Sequence, residues 1–143
     1  MKEVSPDLRA VVVEREIAHP PERIWRALTQ PHLMAEWLMK NDFVPALGHR
    51  FTLRTDWGGV LDCEVLVIEP NSRLSYRWNF AHDDPAFDLE SVVIFTLAPT
   101  VRGTHLRVEQ LGFRPYQKQA YGGAKAGWRQ FLKRLEQVLA NVS

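Results

Sequence analysis

The sequence is poor in cysteine, with Cys63 alone among 143 residues. One thiol cannot close a disulfide within the chain, which excludes a disulfide-stapled secreted scaffold. No basic residue adjoins Cys63 to lower the pKa of its thiol, and a buried cysteine otherwise behaves as a small apolar side chain. We therefore expect a reducing compartment and no chemistry at this position.

The sequence also lacks a strong charge of one sign and long apolar runs. Its formal net charge is +1 and its lysines and arginines are scattered, which argues against a nucleic-acid-binding surface. No window approaches the roughly 18 uninterrupted apolar residues of a membrane-spanning helix. The opening MKEVSPDLRA has no apolar centre of the kind a signal peptide needs. We expect a cytoplasmic protein without nucleic-acid or membrane partners, built as one domain over residues 1–143 with a loose end at 1–6.

Motifs for metals, phosphates and nucleophilic catalysis are missing. The five histidines are widely spaced, with neither HxxxH nor HExxH, and GxSxG is absent. Gly58-Gly59 and Gly122-Gly123 lack the spacing of a phosphate-binding loop. The sequence therefore predicts no metal site, no cofactor and no catalytic residue.

Two acidic groups are the remaining candidates for chemistry. His82-Asp83-Asp84 offers too few ligands for a calcium loop, so we expect a solvated loop there. Asp56, Asp62 and Glu64 lie near one predicted hairpin. A carboxylate there could act as a catalytic base only if it faced the interior of the fold. Strand alternation gives no reason for all three to do so, and we expect exposed charges.

The most regular feature that is present is the run at 121–142. Its large apolar residues recur in steps of three and four, the period of one helix face. These residues are Trp128, Phe131, Leu132, Leu135, Val138, Leu139 and Val142. We predict a long amphipathic helix that covers the apolar face of a sheet.

The sheet is predicted from alternation of apolar and polar residues. Strands are expected at 8–17, from Arg50, and at 60–68, 74–80, 90–97 and 104–110. The segment at 60–68 is apolar on both faces, so its register stays open. Short turns between the strands predict an antiparallel meander.

Two short helices are expected between the first strand and the meander. Pro21 and Pro31 each suit the first position of a helix, which gives helices at 21–29 and 31–38. The complete order predicts an α+β fold in which about six antiparallel strands wrap around the final helix.

Several motifs carry a family resemblance. They are Trp25-x-x-Leu28 followed by Trp37-Leu38, Arg73-Leu74-x-Tyr76-x-Trp78, and Gly127-Trp128-x-x-Phe131-Leu132-x-x-Leu135. In order and spacing they resemble the activator-of-heat-shock-ATPase-like (AHSA-type) family of the START and polyketide-cyclase-like (SRPBCC) superfamily, over roughly residues 11–139. The resemblance implies a helix-grip fold with a hydrophobic cavity between the sheet and the long helix. It does not imply one activity, because members bind, transport, cyclise or assist chaperones.

The sequence departs from the family pattern in two respects. Gln110 stands at the end of the last strand, where relatives often carry His or Glu, and an amide does not titrate. The chain also lacks the separate chaperone-docking domain of the eukaryotic co-chaperones. A chaperone contact is therefore doubtful.

The candidate ligand-binding residues are mainly rings and aliphatic side chains at inward positions. Tyr76, His49 or Gln110 would orient the polar end of a ligand, whereas His105 has the outward parity of its strand. A typical ligand cavity of about 300–1,000 Å³ is expected. The complete set is Trp25, Trp37, His49, Phe51, Leu53, Tyr76, Trp78, Phe95, Leu106, Gln110, Phe113, Trp128 and Leu132.

Three functions fit these observations. The first is non-catalytic binding of a small hydrophobic or aromatic molecule, without a cofactor. The second is a cofactor-free enzyme of the cyclase or hydrolase kind that uses the same cavity. The third is a stress-response or chaperone-associated interaction module, which would expose a large apolar patch. A homodimer is left open.

Overall fold

The elements follow the order that the sequence predicts, with one additional short strand. The computed structural model describes residues 9–141, so the expected loose end at 1–6 and Val142 lie outside the described residues. The elements are β1 (Arg9–Ile17), α1 (Pro21–Thr29), α2 (Pro31–Trp37), β2 (Lys40–Asn41), β3 (Arg50–Arg54), β4 (Val60–Glu69), β5 (Arg73–Phe80), β6 (Leu89–Pro99), β7 (Thr104–Phe113) and α3 (Lys118–Asn141).

The strands of the described chain form one antiparallel sheet in the order β1-β7-β6-β5-β4-β3-β2. Strands β2 to β7 are neighbours in sequence and in space, which is the expected meander. After the two-helix excursion, β1 pairs with the last strand, so that Val13 lies opposite Val108. The predicted α+β helix-grip architecture is confirmed. The additional strand β2 has two residues, too few to produce an alternation pattern.

Prolines begin both short helices, as expected. Pro21 and Pro31 occupy the first turns of α1 and α2, where a missing N–H leaves no hydrogen bond unmade. The Trp37 indole Nε1 donates to the Ala27 carbonyl at 2.8 Å. This buried hydrogen bond ties α2 to α1 and fixes the bend between them.

The register of β4, which the sequence left open, is decided by a bulge. Val65 lies opposite Tyr76 and Val67 lies opposite Ser75, so Leu66 is an extra residue in the ladder. Leu61, Cys63 and Val65 point inward before the bulge, and after it the inward parity changes, so that Ile68 packs against the core. The sequence of a continuous apolar run does not reveal such a one-residue shift in strand pairing, because the residues on both faces of the strand are apolar.

The inner face of the sheet is buried against α3. Alternation placed the core residues of the central strands correctly, and these are Phe51, Leu53, Leu74, Tyr76, Trp78, Val93, Phe95, Leu97, Leu106 and Val108. At about 1.5 Å per residue, α3 is roughly 36 Å long and crosses the whole domain. Arg15 Nη1 donates to Glu136 Oε1 at 2.8 Å, and Arg23 Nη2 donates to the Leu139 carbonyl at 3.0 Å. These contacts hold the carboxyl-terminal half of α3 to β1 and α1.

No helix within residues 9–141 is both long enough and apolar enough to cross a membrane.

Candidate ligand-binding site

A cleft of about 320 Å³ opens between the amino-terminal half of α3 and the inner face of the sheet. Helix α3 forms its roof, strands β4 to β7 form its floor, and the loops after β3 and β5 border its mouth. The lining residues are Met39, Thr55, Trp57, Leu61, Trp78, Phe80, Phe87, Leu89, Gln110, Phe113, Ala120, Gly123, Ala124, Gly127, Trp128 and Phe131.

The roof of the cleft consists of small residues on one face of α3. Ala120, Gly123, Ala124 and Gly127 follow one another at helical spacing. A Cβ added at Gly123 or Gly127 would meet no atom within 4 Å. The cleft therefore exists because this part of the stripe carries almost no side-chain volume.

Two exposed aromatic rings border the mouth. Trp57, in the β3–β4 turn, is 72% exposed and Phe87, in the β5–β6 loop, is 38% exposed. The Trp57 ring makes an edge contact with Phe80 at 5.7 Å between centroids, and it lies over Gly59, where a Cβ would overlap the indole. Exposed rings of this size beside a cleft are typical of a binding surface.

A buried glutamine holds the loop that carries Phe87. Gln117 Nε2 donates to the Pro85 carbonyl at 3.0 Å and to the Asp88 carbonyl at 2.6 Å. Its Oε1 accepts from the Arg114 backbone N–H at 2.9 Å. Gln117 thus ties the start of α3 to the β5–β6 loop and positions one side of the mouth.

One chain of hydrogen bonds crosses the cleft wall from α3 to β5. Trp128 Nε1 donates to Gln110 Oε1 at 2.8 Å, and Gln110 Nε2 donates to Ser91 Oγ at 3.0 Å. Ser91 Oγ then donates to the Trp78 carbonyl at 2.5 Å. Gln110 is only 1% exposed, so these bonds satisfy a polar group that would be costly to bury alone.

The lining contains no ionisable side chain. Its polar side-chain groups are the Gln110 amide, the Thr55 hydroxyl and indole N–H groups. The Thr55 hydroxyl donates to the Gly59 carbonyl at 2.9 Å within its own turn. The arrangement can bury apolar rings and form neutral hydrogen bonds, and it offers no side chain for proton transfer near neutral pH.

The structure brings four of the predicted ligand-binding residues to the cleft, namely Trp78, Gln110, Phe113 and Trp128. The others lie elsewhere. Trp37, Phe51, Leu53, Tyr76, Phe95, Leu106 and Leu132 are buried in the core, and Trp25 packs against it partly exposed. Phe51 and Tyr76 share the inward face of the sheet but pack against Phe43. Phe95 shares this face too but packs against Trp37 and Trp128.

The two other predicted polar groups do not line the cleft. His49 stacks on Phe51 at 6.4 Å, and its Nε2 lies 3.3 Å from the Asp42 carbonyl. Tyr76 contacts Phe43, Phe51 and Phe95, and burial raises the pKa of its phenol well above the ordinary value.

The residues that shape the roof and the mouth are not among the predicted ligand-binding residues. The sequence pattern singles out Gly123 only as part of a candidate phosphate loop and Gly127 only as part of a family motif, and Trp57 and Phe87 lie in turns without periodicity. The available signal was the replacement of large by small residues along one helical stripe, from Ala120 to Gly127.

The remaining candidates for chemistry take structural roles. Burial raises the pKa of the Cys63 thiol, which makes it a poor nucleophile. Asp84 Oδ1 accepts the Ala86 N–H within its own loop, and Glu64 lies near Arg50 and Arg77 on the outer face. Among residues 9–141, no three His, Cys, Asp or Glu side chains come together as a metal site would require.

A sheet that grips one long helix, with an aromatic cleft between them, defines the helix-grip class of START-like folds. The sequence matches the family described as "Activator of Hsp90 ATPase homolog 1-like protein" over residues 18–140. The chain belongs to this family, which confirms the resemblance carried by its motifs.

Solved structures of similar proteins share the fold. MLL2253 from Mesorhizobium loti is 70% identical, with a TM-score of 0.92 over 94% of this chain and 99% of its own. DynU16, a protein in the dynemicin biosynthetic locus, is 27% identical, with a TM-score of 0.79 over 96% of this chain and 48% of its own. CalU16 from Micromonospora echinospora is 22% identical and shows the same fold, with a TM-score of 0.77 over 97% of this chain and 82% of its own. No curated protein matches the sequence.

Proposed function

We propose that this protein binds a small, mainly aromatic molecule in the cleft beneath the amino-terminal half of α3, and releases it unchanged. The observation that carries the proposal is the row of small residues, which leaves open a space walled by Trp78, Phe113 and Trp128. A volume of about 320 Å³ is at the lower end of known ligand sites. The ligand is therefore small.

Affinity would come mainly from burial of apolar surface. Each square ångström of apolar surface removed from water contributes about 25 cal/mol. Edge-to-face or offset contacts between aromatic rings contribute further binding free energy. Trp78 and Trp128 already lie 5.2 Å apart at a tilt of 51°. A planar ligand beside them would extend an existing cluster of rings without reorganising it.

A cofactor-free enzyme is the second candidate, because DynU16 is encoded in a biosynthetic locus. An enzyme of the cyclase or hydrolase kind needs a group that accepts or donates a proton near the substrate. The lining offers Gln110 at the position where such a group would lie. We therefore place binding ahead of catalysis.

The interaction module receives less support from the surface. The exposed large apolar residues of the described chain are distributed over several loops and strands, for example Leu47 before β3, Val101 in the β6–β7 turn and Leu111 in β7. Trp57 and Phe87 belong to the cleft mouth. A homodimer stays open, and the expectation against a chaperone contact stays a prediction. The same holds for the cytoplasmic location suggested by a single buried cysteine.

Binding can be tested with N-phenyl-1-naphthylamine, an uncharged dye whose fluorescence rises in apolar surroundings. We expect saturable binding and a rise in melting temperature that follows occupancy, since a ligand of the folded state stabilises it by RT ln(1 + [L]/Kd). Gly127→Leu places a side chain in the cleft and should weaken dye binding by about tenfold or more, equivalent to about 1.4 kcal/mol.

Gly122→Leu is the matched control. Gly122 is exposed on the same helix and does not line the cleft, so this variant should bind the dye as the parent protein does. Dye binding that is equal in both variants would place the site elsewhere, and an absence of saturable binding to the parent protein would refute the proposed function.

A further inference from the structure

The hydrogen bonds around Gln110 determine where the oxygen and the nitrogen of its amide lie. The Trp128 indole nitrogen can only donate, so the amide atom facing it at 2.8 Å must be the oxygen. On the other side, Ser91 Oγ uses its proton on the Trp78 carbonyl and therefore accepts from Gln110 Nε2 at 3.0 Å. The amide is held in one orientation from both ends.

In this orientation the Gln110 amide does not use all of its hydrogen-bond donors and acceptors. A primary amide has two N–H donors and two acceptor lone pairs. The two bonds described above use one of each, and Gln110 has no other partner among residues 9–141. One N–H and one lone pair of the amide thus have no partner among the described residues, and Gln110 is one of the groups that line the cleft.

The rest of the lining disfavours an anionic ligand. Because none of its side chains is cationic, a carboxylate brought into the cleft would lose water without gaining a partner of opposite charge, which is strongly unfavourable. A neutral polar group would lose less, and Gln110 would replace the water it leaves.

We propose that Gln110 is the specificity-determining residue of the cleft, and that it selects an uncharged aromatic ligand whose polar group both donates and accepts a hydrogen bond, as a carboxamide does. The inference rests on the proposed function, since it concerns the ligand of the same cleft. It assigns the polar end of the ligand to the β7 side, beside Trp128, and the apolar end toward Trp57 and Phe87.

The test compares naphthalene probes that differ in one group. 2-Naphthamide should bind the parent protein at least as tightly as naphthalene, although its amide must leave water. It should bind about tenfold or more tightly than 2-naphthoate, which has the same shape and a negative charge. Naphthamide binding weaker than naphthalene, or naphthoate binding equal to naphthamide, would overturn the proposal without any variant.

A substitution separates recognition from a structural role. Gln110→Met keeps the length of the side chain and removes the amide, so naphthamide affinity should fall below that of naphthalene, because the probe amide leaves water without a partner, while naphthalene affinity is retained. Equal retention of both affinities would overturn the assignment to Gln110. If the variant loses its fold, the comparison of probes on the parent protein still decides the question.

The outcomes also separate this inference from the proposed function. Failure of naphthalene, naphthamide and N-phenyl-1-naphthylamine to bind would refute the proposed function. Binding of the dye and of naphthalene, with no preference for the amide or against the carboxylate, would leave the function intact and refute only the role of Gln110.

Discussion

The two halves of α3 face the same sheet and have opposite effects. The carboxyl-terminal half turns Leu132, Leu135 and Leu139 inward, and all three are buried. The amino-terminal half turns Ala120 and Gly127 toward the same surface and leaves a cleft. Both halves follow the helical period, so side-chain volume along one stripe decides where the core ends and the cleft begins.

Trp128 is at the boundary between the two halves, and its removal should have the largest effect. It is 1% exposed, contacts Trp78 and Phe95, and donates to Gln110. Trp128→Ala should lower the free energy of unfolding by about 3–5 kcal/mol, because it opens a cavity and leaves the amide oxygen of Gln110 without its hydrogen-bond donor. Chemical denaturation measures this loss.

Lys133 lies off the stripe on the exposed face of α3 and supplies the control. Lys133→Ala should change the unfolding free energy by less than about 0.5 kcal/mol. Similar losses from both substitutions would show that the helix face is wrongly assigned.

The next prediction compares added volume in the two regions. Leu106 is fully buried and does not line the cleft, so Leu106→Trp should overpack the core and cost about 1–3 kcal/mol. Gly127→Leu adds volume to open space and should be tolerated. A tolerated tryptophan at position 106 would mean that the packed region contains space of its own, and would weaken the contrast between the halves.

Smaller changes in the amino-terminal half of α3 should raise stability. Gly123→Ala and Gly122→Ala each replace a helical glycine whose Cβ meets open space, so each should stabilise the protein by about 0.5–1 kcal/mol. Thermal unfolding would show equal gains. Only Gly123→Ala should also weaken dye binding, and by less than Gly127→Leu does. Weaker binding in the Gly122 variant would mean that the effect passes through helix stability.

The smallest effect concerns pH and contrasts the charged outer face with the uncharged cleft. A hydrogen bond from His105, at 2.7 Å, lowers the pKa of the Glu14 carboxyl below its ordinary value. Because the folded-state pKa is depressed, this contact stabilises the protein above the ordinary carboxyl pKa of about 4.3 and is lost as the pH falls through the lowered value.

NMR titration of the Glu14 carboxyl should show this low pKa, and His105→Ala should move the pKa upward. Affinity for the uncharged dye should stay constant between about pH 5 and 8, where histidine is the residue that ordinarily titrates. A titration of dye binding in this range would reveal an ionisable group at the cleft and contradict its described lining.

Three of the four cleft residues that were predicted from sequence share one property. Trp78, Gln110 and Trp128 are inward residues of elements with clear periodicity, so their facing direction follows from the pattern alone. Phe113 lies beyond the predicted strand at 104–110 and has the parity opposite to the inward residues of that strand, so alternation does not predict its direction. Tyr76 and Phe95 have the same pattern as Trp78 and lie in the core instead. Facing inward is a local property, whereas lining a cleft depends on what covers each position.

By itself the sequence determined the longer elements, the buried faces of the strands with clear alternation and the starts of α1 and α2, because these depend on local spacing and on proline chemistry. Tertiary structure decided the pairing of β1 with β7, the bulge after Val65 and the chain from Trp128 through Gln110 to Ser91. It also decided that the small residues of α3 face the sheet across open space. Each of these depends on contacts between residues distant in sequence, for which a local pattern carries no signal.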